Sequence, residues 1–401
     1  MSVTGRLGKP GRVRIFDLEV RVTDQQRILV ASEAFGQIQV ERAVSEFRSG
    51  RPVCIEGSKT AVLALSVEAI DPGMASRLDA LAAGRARLVI PAPRLRRLGL
   101  DRQDGGVIAL PQIDLRRIAA LSVDVDSRVD APVAALSRLD ASALELARIA
   151  LVLPAVVVVP VDASDAPHLN VVTVPADAIA TFRAEEAVDL KIVARAPVPL
   201  EGARDSEFVI FRGGEGMRDQ VAVMIGKPDL SQPVTVRLHS ACLTGDLFGS
   251  LKCDCGDQLR HTARFMAENG GGVLLYLDQE GRGNGISNKI RAYKLQAQGF
   301  DTYDADEVLG FDHDQRRFEF AAEMLKQLGV SAVRVMTNNP VKIAALEDAG
   351  LAVASDQRIQ GRLTDQNVRY LASKRDRAGH FLDVETGALS VPPPAHGGAK
   401  D

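Results

Sequence analysis

An α/β protein in two domains, each a mixed sheet with packed helices, is the architecture the sequence predicts, on three observations. The chain has 401 residues, about two to three times the usual length of one domain, so at least two packed units with ample core are expected. Hydrophobic residues make up 46% and charged residues 25%, the balance of a folded globular chain rather than a disordered one. From Val40 to about Val172, amphipathic helix alternates with apolar strand, the layering of an α/β unit.

The elements follow in order. Val40–Phe47 reads as a helix closed by Gly50, and Pro52–Ile55 as a strand. Further strands are expected at Ala61–Leu65, Ala86–Ile90, Ala155–Val161 and Asn170–Val174, with a helix at Ser142–Val152. The pattern weakens between Glu185 and Glu201, where Pro197, Pro199 and Gly202 mark a junction. The boundary between domains 1–187 and 188–384 is expected there. In the second half Val234–Leu238 reads as a strand entering a polar loop, Asp257–Glu268 as a helix, and Gly272–Leu277 and Val333–Met336 as strands. After the last of these, Asn339 and Pro340 supply an N-cap candidate and a proline at the first helical position, a helix start that suits an anion. The tail, 385–401, with Pro392, Pro393, Pro394 and Gly397, is expected to be disordered.

Charge and composition narrow the function classes. Forty-nine basic residues against 52 acidic give a net charge of −3, which does not favour bulk electrostatic binding to nucleic acid. With no Trp, 13 Phe and 4 Tyr, a base-stacking surface is poorly supplied. The longest apolar stretch, Ile149–Val161, is broken by Pro154, and a bilayer span needs about 20 residues. No apolar segment backs the basic start of the chain, so a cytoplasmic location is expected, with no membrane or nucleic-acid partner. Four cysteines, one of them Cys54 and three close together, suit metal binding or buried thiols better than a disulfide framework.

Three local patterns carry chemistry. Cys242, Cys253 and Cys255 fall within CLTGDLFGSLKCDCG, and three thiolates can converge on one zinc while leaving a fourth position for water. A closed structural site would need a fourth ligand, for which His239 is the neighbour; unmetallated thiols are the third reading. QEGRGNG, Gln279–Gly285, precedes NKIRAYK with Lys289, Arg291, Tyr293 and Lys294. It matches neither G-x-G-x-x-G nor G-x-x-x-x-G-K-[ST], so a phosphate site and a surface loop before a solvated basic helix both stand. In FDHDQRRFEF, Asp314 reads either as a functional carboxylate beside Arg316 or as the cap of a helix Gln315–Leu328.

Together RLHSACLTGD, LKCDCGDQL, DQEGRGNG, NKIRAY, GFDTYDA, LGFDHDQRRF and TNNPVKI, in this order over residues 189 to 383, closely resemble GTP cyclohydrolase II. The resemblance implies an enzyme of riboflavin biosynthesis that opens the imidazole ring of GTP, releases formate and pyrophosphate, and leaves 2,5-diamino-6-(5-phospho-D-ribosylamino)pyrimidin-4(3H)-one. It implies one zinc per chain on Cys242, Cys253 and Cys255, Mg²⁺ carried with the triphosphate, and a homodimer. Carried over residue by residue, GTP contacts fall on Arg237, Leu238, His239, Ser240, Gln258, Glu280, Gly281, Arg282, Thr302, Thr337 and Lys342. Tyr293 is suited to hydrogen bonding or proton transfer near the ring, Asp314 resembles the general base, and Arg316 is expected beside the α-phosphate as nucleophile or charge clamp. Ala241 stands where the family often has an acidic residue. An enzyme that stops at the formamidopyrimidine nucleotide, or a non-catalytic nucleotide-binding module with structural zinc, are the alternatives.

Residues 1–187 resemble a degenerate 3,4-dihydroxy-2-butanone 4-phosphate synthase through Val40–Ile55, Val67–Leu100, Leu139–Val161 and Asn170–Arg183. Where that family has an acidic run, this chain has Glu56, Gly57, Ser58, Lys59 and Thr60; where it has a His-Thr-Glu triplet, this chain has Leu139, Asp140 and Ala141. One Glu beside a Lys is a poor cage for a hard divalent cation, so a catalytically silent domain is expected.

Overall fold

The computed structural model describes residues 32–186, 190–213, 219–312 and 314–359, with a few positions between 361 and 377. The expected boundary at residue 187 and the tail 385–401 lie outside the described residues. Two seven-stranded mixed sheets, each flanked by helices, form the described architecture, as the sequence predicts.

The first sheet holds β1 (Val53–Glu56), β2 (Thr60–Ser66), β3 (Ala86–Ile90), β4 (Gly106–Leu110), β5 (Val133–Ala135), β6 (Val156–Asp162) and β7 (Val172–Pro175). Its order is β5-β4-β3-β6-β2-β1-β7, and β1 with β7 is its parallel pair. On β6, Val156 and Val158 pack with Phe47, Leu146 and Phe182 from the helices Ser32–Arg48, Arg138–Ile149 and Ala176–Glu186. Val157 and Val159 pack on the other face with Leu78, Leu95 and Leu121 from the helices Pro72–Ala82, Ala92–Arg97 and Leu115–Val123. Both faces are covered, which is why this strand reads as a continuous apolar run rather than an alternation.

The second sheet holds β8 (Lys191–Pro197), β9 (Ser206–Arg212), β10 (Gln220–Ile225), β11 (Val234–Ser240), β12 (Gly272–Leu277), β13 (Ala332–Met336) and β14 (Ala352–Gln357), ordered β14-β13-β11-β12-β10-β9-β8. The four strands from β14 to β12 are parallel and the rest antiparallel. After β11 the chain forms the helix Cys255–Glu268, whose Ala263 and Met266 pack with Leu274 on one face. Beyond β12 it reaches the helix Glu319–Gln327, which packs with Val273 and Leu275 on the other. Connections leaving adjacent parallel strands toward opposite faces open a crevice at their carboxyl ends.

Several expected boundaries move for local reasons. The helix expected at Ser142–Val152 spans Arg138–Ile149, because Ser137 and Asp140 form a reciprocal capping box and Leu151 takes a left-handed φ of 58°. Asn170 sits at φ 51°, so the strand expected from it begins at Val172. The junction between Glu185 and Glu201 contains β8, an edge strand exposed along most of its length, which leaves no apolar period to read. Asp314 does not cap a helix Gln315–Leu328: that helix is Glu319–Gln327, with Phe318 at its N-cap. The preceding loop is tied elsewhere, Gln315 N donating to the Arg282 carbonyl at 3.1 Å and the Gln279 amide donating to the Arg317 carbonyl.

The two sheet units share an apolar cluster in which Leu153 of the first meets Ala292, Leu295, Val308 and Phe311 of the second. Arg94, 1% exposed, crosses the same contact. Its guanidinium donates to the carbonyls of Leu121 (2.8 Å), Ala120 (2.9 Å), Asp124 (2.6 Å) and, across the interface, Val308 (3.3 Å).

Candidate active site

The three cysteines predicted as ligands converge. Cys242 follows β11, Cys255 opens the helix after it, and the three sulfur atoms lie within 4.8 Å of one another. Gly245 makes this possible: a Cβ there would stand 2.7 Å from Cys253 Sγ and 3.0 Å from Cys242 Sγ. The donor set and this close cradle fit a soft, tetrahedral cation such as zinc. Lys289 Nζ lies 3.1 Å from Cys242 Sγ and 2.8 Å from Glu280 Oε1. Hydrogen bonds from Cys253 and Cys255, with the Lys289 charge beside them, hold the Cys242 thiol far below its ordinary range, so it stands ready as a thiolate.

Around this cluster the carboxyl ends of β11, β12 and β13 bring together the other predicted residues. Arg237, buried on β11, donates to Gln258 Oε1 at 2.6 Å and to the Met336 carbonyl at 2.9 Å, while Gln258 Nε2 donates to Asp254 at 2.6 Å. Lys342, in the first turn of the helix Pro340–Asp348, donates to the Leu238 carbonyl at 2.6 Å. Thr337 follows β13, and its hydroxyl accepts from Asn339 N at 3.0 Å. Asn339 caps that helix and Pro340 stands in its first turn, as the sequence predicts. Arg316 pairs with Asp314 and reaches Ser240 Oγ at 3.4 Å. The field at Arg237 includes Cys255, Asp254, Arg316 and Asp246, so the thiol cluster and the cationic groups occupy one site.

The scan against family models matches GTP cyclohydrolase II over residues 191–358. A GTP cyclohydrolase-2 from Xylella fastidiosa (strain Temecula1) is 43% identical over 358 residues, covering 87% of this chain and 88% of that protein. The chain belongs to the GTP cyclohydrolase II family. The riboflavin biosynthesis protein RibBA of Bacillus subtilis is 48% identical over 166 residues, 41% of this chain and 42% of that protein. The cyclohydrolase-2 match therefore extends through most of the first sheet unit as well as the second. A solved two-domain 3,4-dihydroxy-2-butanone 4-phosphate synthase from A. baumannii aligns over 79% of this chain and 99% of its own at 15% identity, with a TM-score of 0.32.

Within this cyclohydrolase the remaining predicted residues have mixed roles. Both oxygens of Glu280 are engaged, Oε2 accepting from Leu243 N at 2.6 Å and Oε1 from Lys289. Gly281 and Arg282 both take left-handed φ, 62° and 60°, and a Cβ on Gly281 would meet that of Lys289 at 3.1 Å. Arg282 pairs with Asp306, donates to the Thr302 carbonyl at 3.0 Å and lies over the Tyr303 ring at 4.4 Å. Tyr293 has the ammonium groups of Lys252 and Lys289 4.7 and 5.7 Å from its ring centroid, and burial pushes its phenol up.

His239 does not join the cysteines. Its Nε2 stands 3.1 Å from both oxygens of Asp246, and the three-sulfur grouping takes in no histidine. Burial lowers its pKa, keeping it neutral near pH 7, and Nδ1 is buried without a hydrogen-bond partner among the described residues. Asp246 also accepts from Cys242 N at 2.9 Å and from the Tyr276 hydroxyl at 3.0 Å. For Asp314, burial works upward, but the Arg316 charge and hydrogen bonds win and hold the carboxyl at about 2.

Sequence reasoning missed Asp246, Gly245 and Tyr276, and gave Lys289 no role. Lys289 was legible in one respect: it lies four residues before Tyr293, so a helix puts both on one face. Nothing in the sequence marks Tyr276, a strand residue whose relevance depends on its stacking against His239 at 5.6 Å.

Proposed function

We propose that this chain is a zinc-dependent GTP cyclohydrolase II that hydrolyses GTP to 2,5-diamino-6-(5-phospho-D-ribosylamino)pyrimidin-4(3H)-one, formate and pyrophosphate, an entry step of riboflavin biosynthesis. One observation carries the reading: three sulfur atoms within 4.8 Å of one another, just past the carboxyl end of β11, the strand that carries Arg237 and is reached by Arg316 and Lys342. Cys242, Cys253 and Cys255 would hold the zinc, which when bound supplies Lewis-acid polarisation and a water acidic enough to attack near neutral pH.

The chain's own residues bind, orient and move protons. Arg316, Arg282 and Lys342 neutralise the negative charge that the triphosphate keeps beside its Mg²⁺, assisted by Ser240 and Thr337. The neutral His239 offers Nδ1 as an acceptor for an N–H donor, and Gln258, Glu280 and the backbone at Leu238 and Gly281 complete the guanine and ribose contacts, with Thr302 behind Arg282. Asp314 paired to Arg316 is a weak base. A phosphate that takes over Arg316 frees this carboxylate and raises its pKa toward a working range. The ion pair keeps the Arg316 guanidinium charged, which favours a clamp at the α-phosphate over a nucleophile. Tyr293, its phenol protonated, donates near the ring.

The same proposal divides the chain at about residue 187, places it in the cytoplasm as a homodimer, and makes the first unit a silent relative of 3,4-dihydroxy-2-butanone 4-phosphate synthase. A Cβ on Gly57 would stand 3.4 Å from Leu139, so the two segments aligned with that enzyme's metal-binding residues are neighbours. Asp140, the acid in the second segment, is committed to Arg87 at 2.8 Å and to Ser137.

Incubating the zinc-loaded protein with GTP and Mg²⁺ tests the activity, with mass spectrometry of the nucleotide product. Formate and pyrophosphate in equal amounts are expected. An unchanged nucleotide would leave a binding module, and a product hydrated by one water an enzyme that stops at the formamide, the outcome Ala241 would favour. Ribulose 5-phosphate with Mg²⁺ should yield no butanone phosphate above a no-enzyme control.

A further inference from the structure

A cavity of about 650 Å³ lies between the two sheet units. One wall is the helix Leu115–Val123 with the turn at Val67–Ile70; the other comes from the helix Ile286–Ala297 and its continuation, through Arg291, Lys294, Leu295 and Gln298. The lining is mostly aliphatic, including Val67, Ile118 and Leu295, with the acids Glu68 and Asp124 on the first wall and the cations Arg291 and Lys294 on the second. Glu68 is committed, pairing with Arg291 at 2.8 Å and accepting from Leu153 N at 2.5 Å. Ser122 lines the cavity too, and its buried hydroxyl has no hydrogen-bond partner among the described residues. Native sites for small molecules combine apolar walls with a few polar or charged groups at this volume.

The helix Ile286–Ala297 also faces the thiol cluster. Lys289 touches Cys242 and Glu280, and Tyr293 sits against Lys252. One rigid element thus carries residues of the cyclohydrolase site on one side and cavity-lining residues on another. We propose that the cavity between the units binds a small amphiphilic anion, a largely apolar ring system bearing a carboxylate, sulfonate or phosphate, and that its occupancy adjusts GTP turnover through the helix Ile286–Ala297. The ring lies on the aliphatic walls, and the anionic group meets Lys294 on the second wall, beside the Arg291 that Glu68 holds. The effect on turnover rests on the activity proposed above; the binding does not.

The test uses the full-length, zinc-loaded protein and 8-anilinonaphthalene-1-sulfonate, an apolar ring system with one sulfonate whose fluorescence rises on burial. Saturable binding at one probe per chain is expected, weakened at least tenfold by Lys294→Glu, which inverts the charge at the mouth. It should weaken as much in Ala119→Phe, which fills the space from an exposed position of the helix Leu115–Val123. At saturation the rate of formate release should change at least twofold in the wild type and not in Lys294→Glu. Absence of saturable binding, or binding by both variants as tight as by the wild type, overturns the site. Binding that leaves the rate unchanged overturns the coupling. A preparation that releases no formate with or without the probe counts against the cyclohydrolase reading, while the fluorescence titration still decides the site.

Discussion

Replacing Arg94 with Met tests whether the two sheet units fold as one structure. Arg94 is 1% exposed, and its guanidinium serves four carbonyls, three near the end of the helix Leu115–Val123 and one at the end of the helix Thr302–Val308. Its cost in isolation is visible in its pKa: burial pulls it down to about 10. Met fills much of the same volume but donates nothing. Two of the bonds, to Leu121 and Val308, are buried, and each orphaned acceptor costs about 1–3 kcal/mol. The carbonyls of Ala120 and Asp124 sit where water can replace the lost donor. Relief from burying a cation offsets part of the loss, which leaves a net destabilisation of about 3 kcal/mol. For a large domain about 1 kcal/mol moves Tm by roughly 2–4 °C, so Arg94→Met should melt roughly 6–12 °C below wild type by differential scanning calorimetry. Asp306, the partner of Arg282, lies on the helix whose end Arg94 holds, so KM for GTP should rise as well. A melt within about 2 °C of wild type would refute the reasoning, because it would mean that the four carbonyls are as well served by water.

Five further outcomes are expected. Gly245→Ala should leave far less than one zinc per chain by metal analysis, since its Cβ would lie 2.7 Å from Cys253 Sγ; full zinc content would contradict the cradle. Cys253→Ser should abolish ring opening, whereas Cys54→Ser should turn over GTP nearly as wild type, because Cys54 lies in the first sheet with its thiol pushed up by burial to about 11. Asp314→Asn and Arg316→Ala should both lose turnover while far-UV circular dichroism is retained. Because Asp314 is held at about 2, below its ordinary 3.8, its pair with Arg316 stabilises the fold above about pH 4, and that contribution disappears as pH falls through about 2. Arg316→Ala should flatten this acid limb in urea titrations. Light scattering should give twice the 43.0 kDa chain mass, and a monomeric value would contradict the dimer.

What the sequence determined by itself was chemistry that is local. Cys242, Cys253 and Cys255 are near in the chain, so their convergence follows from one loop and one helix start. Asn339 and Pro340 are a helix start written in two adjacent residues, and the apolar runs at Ala86–Ile90 and Gly272–Leu277 are strands in the structure with the same bounds. Tertiary structure decided whatever depends on contacts between distant segments. Spacing left Asp314 either a helix cap or a functional carboxylate beside Arg316, and the ties of its loop to Arg282 and Gln279, more than 30 residues away, remove the cap. His239, the neighbour that a closed metal site would have needed and a residue the resemblance gives to GTP, has its Nε2 face and its ring taken by Asp246 and Tyr276. β8 was illegible because an edge strand exposed along most of its length carries no apolar period. The cavity beside Ser122 and the bond from Arg94 to Val308, 214 residues on, exist only because the two sheet units pack together. Propensity and periodicity act over a few residues, whereas the partners of a buried polar group are chosen by the packing of the whole chain.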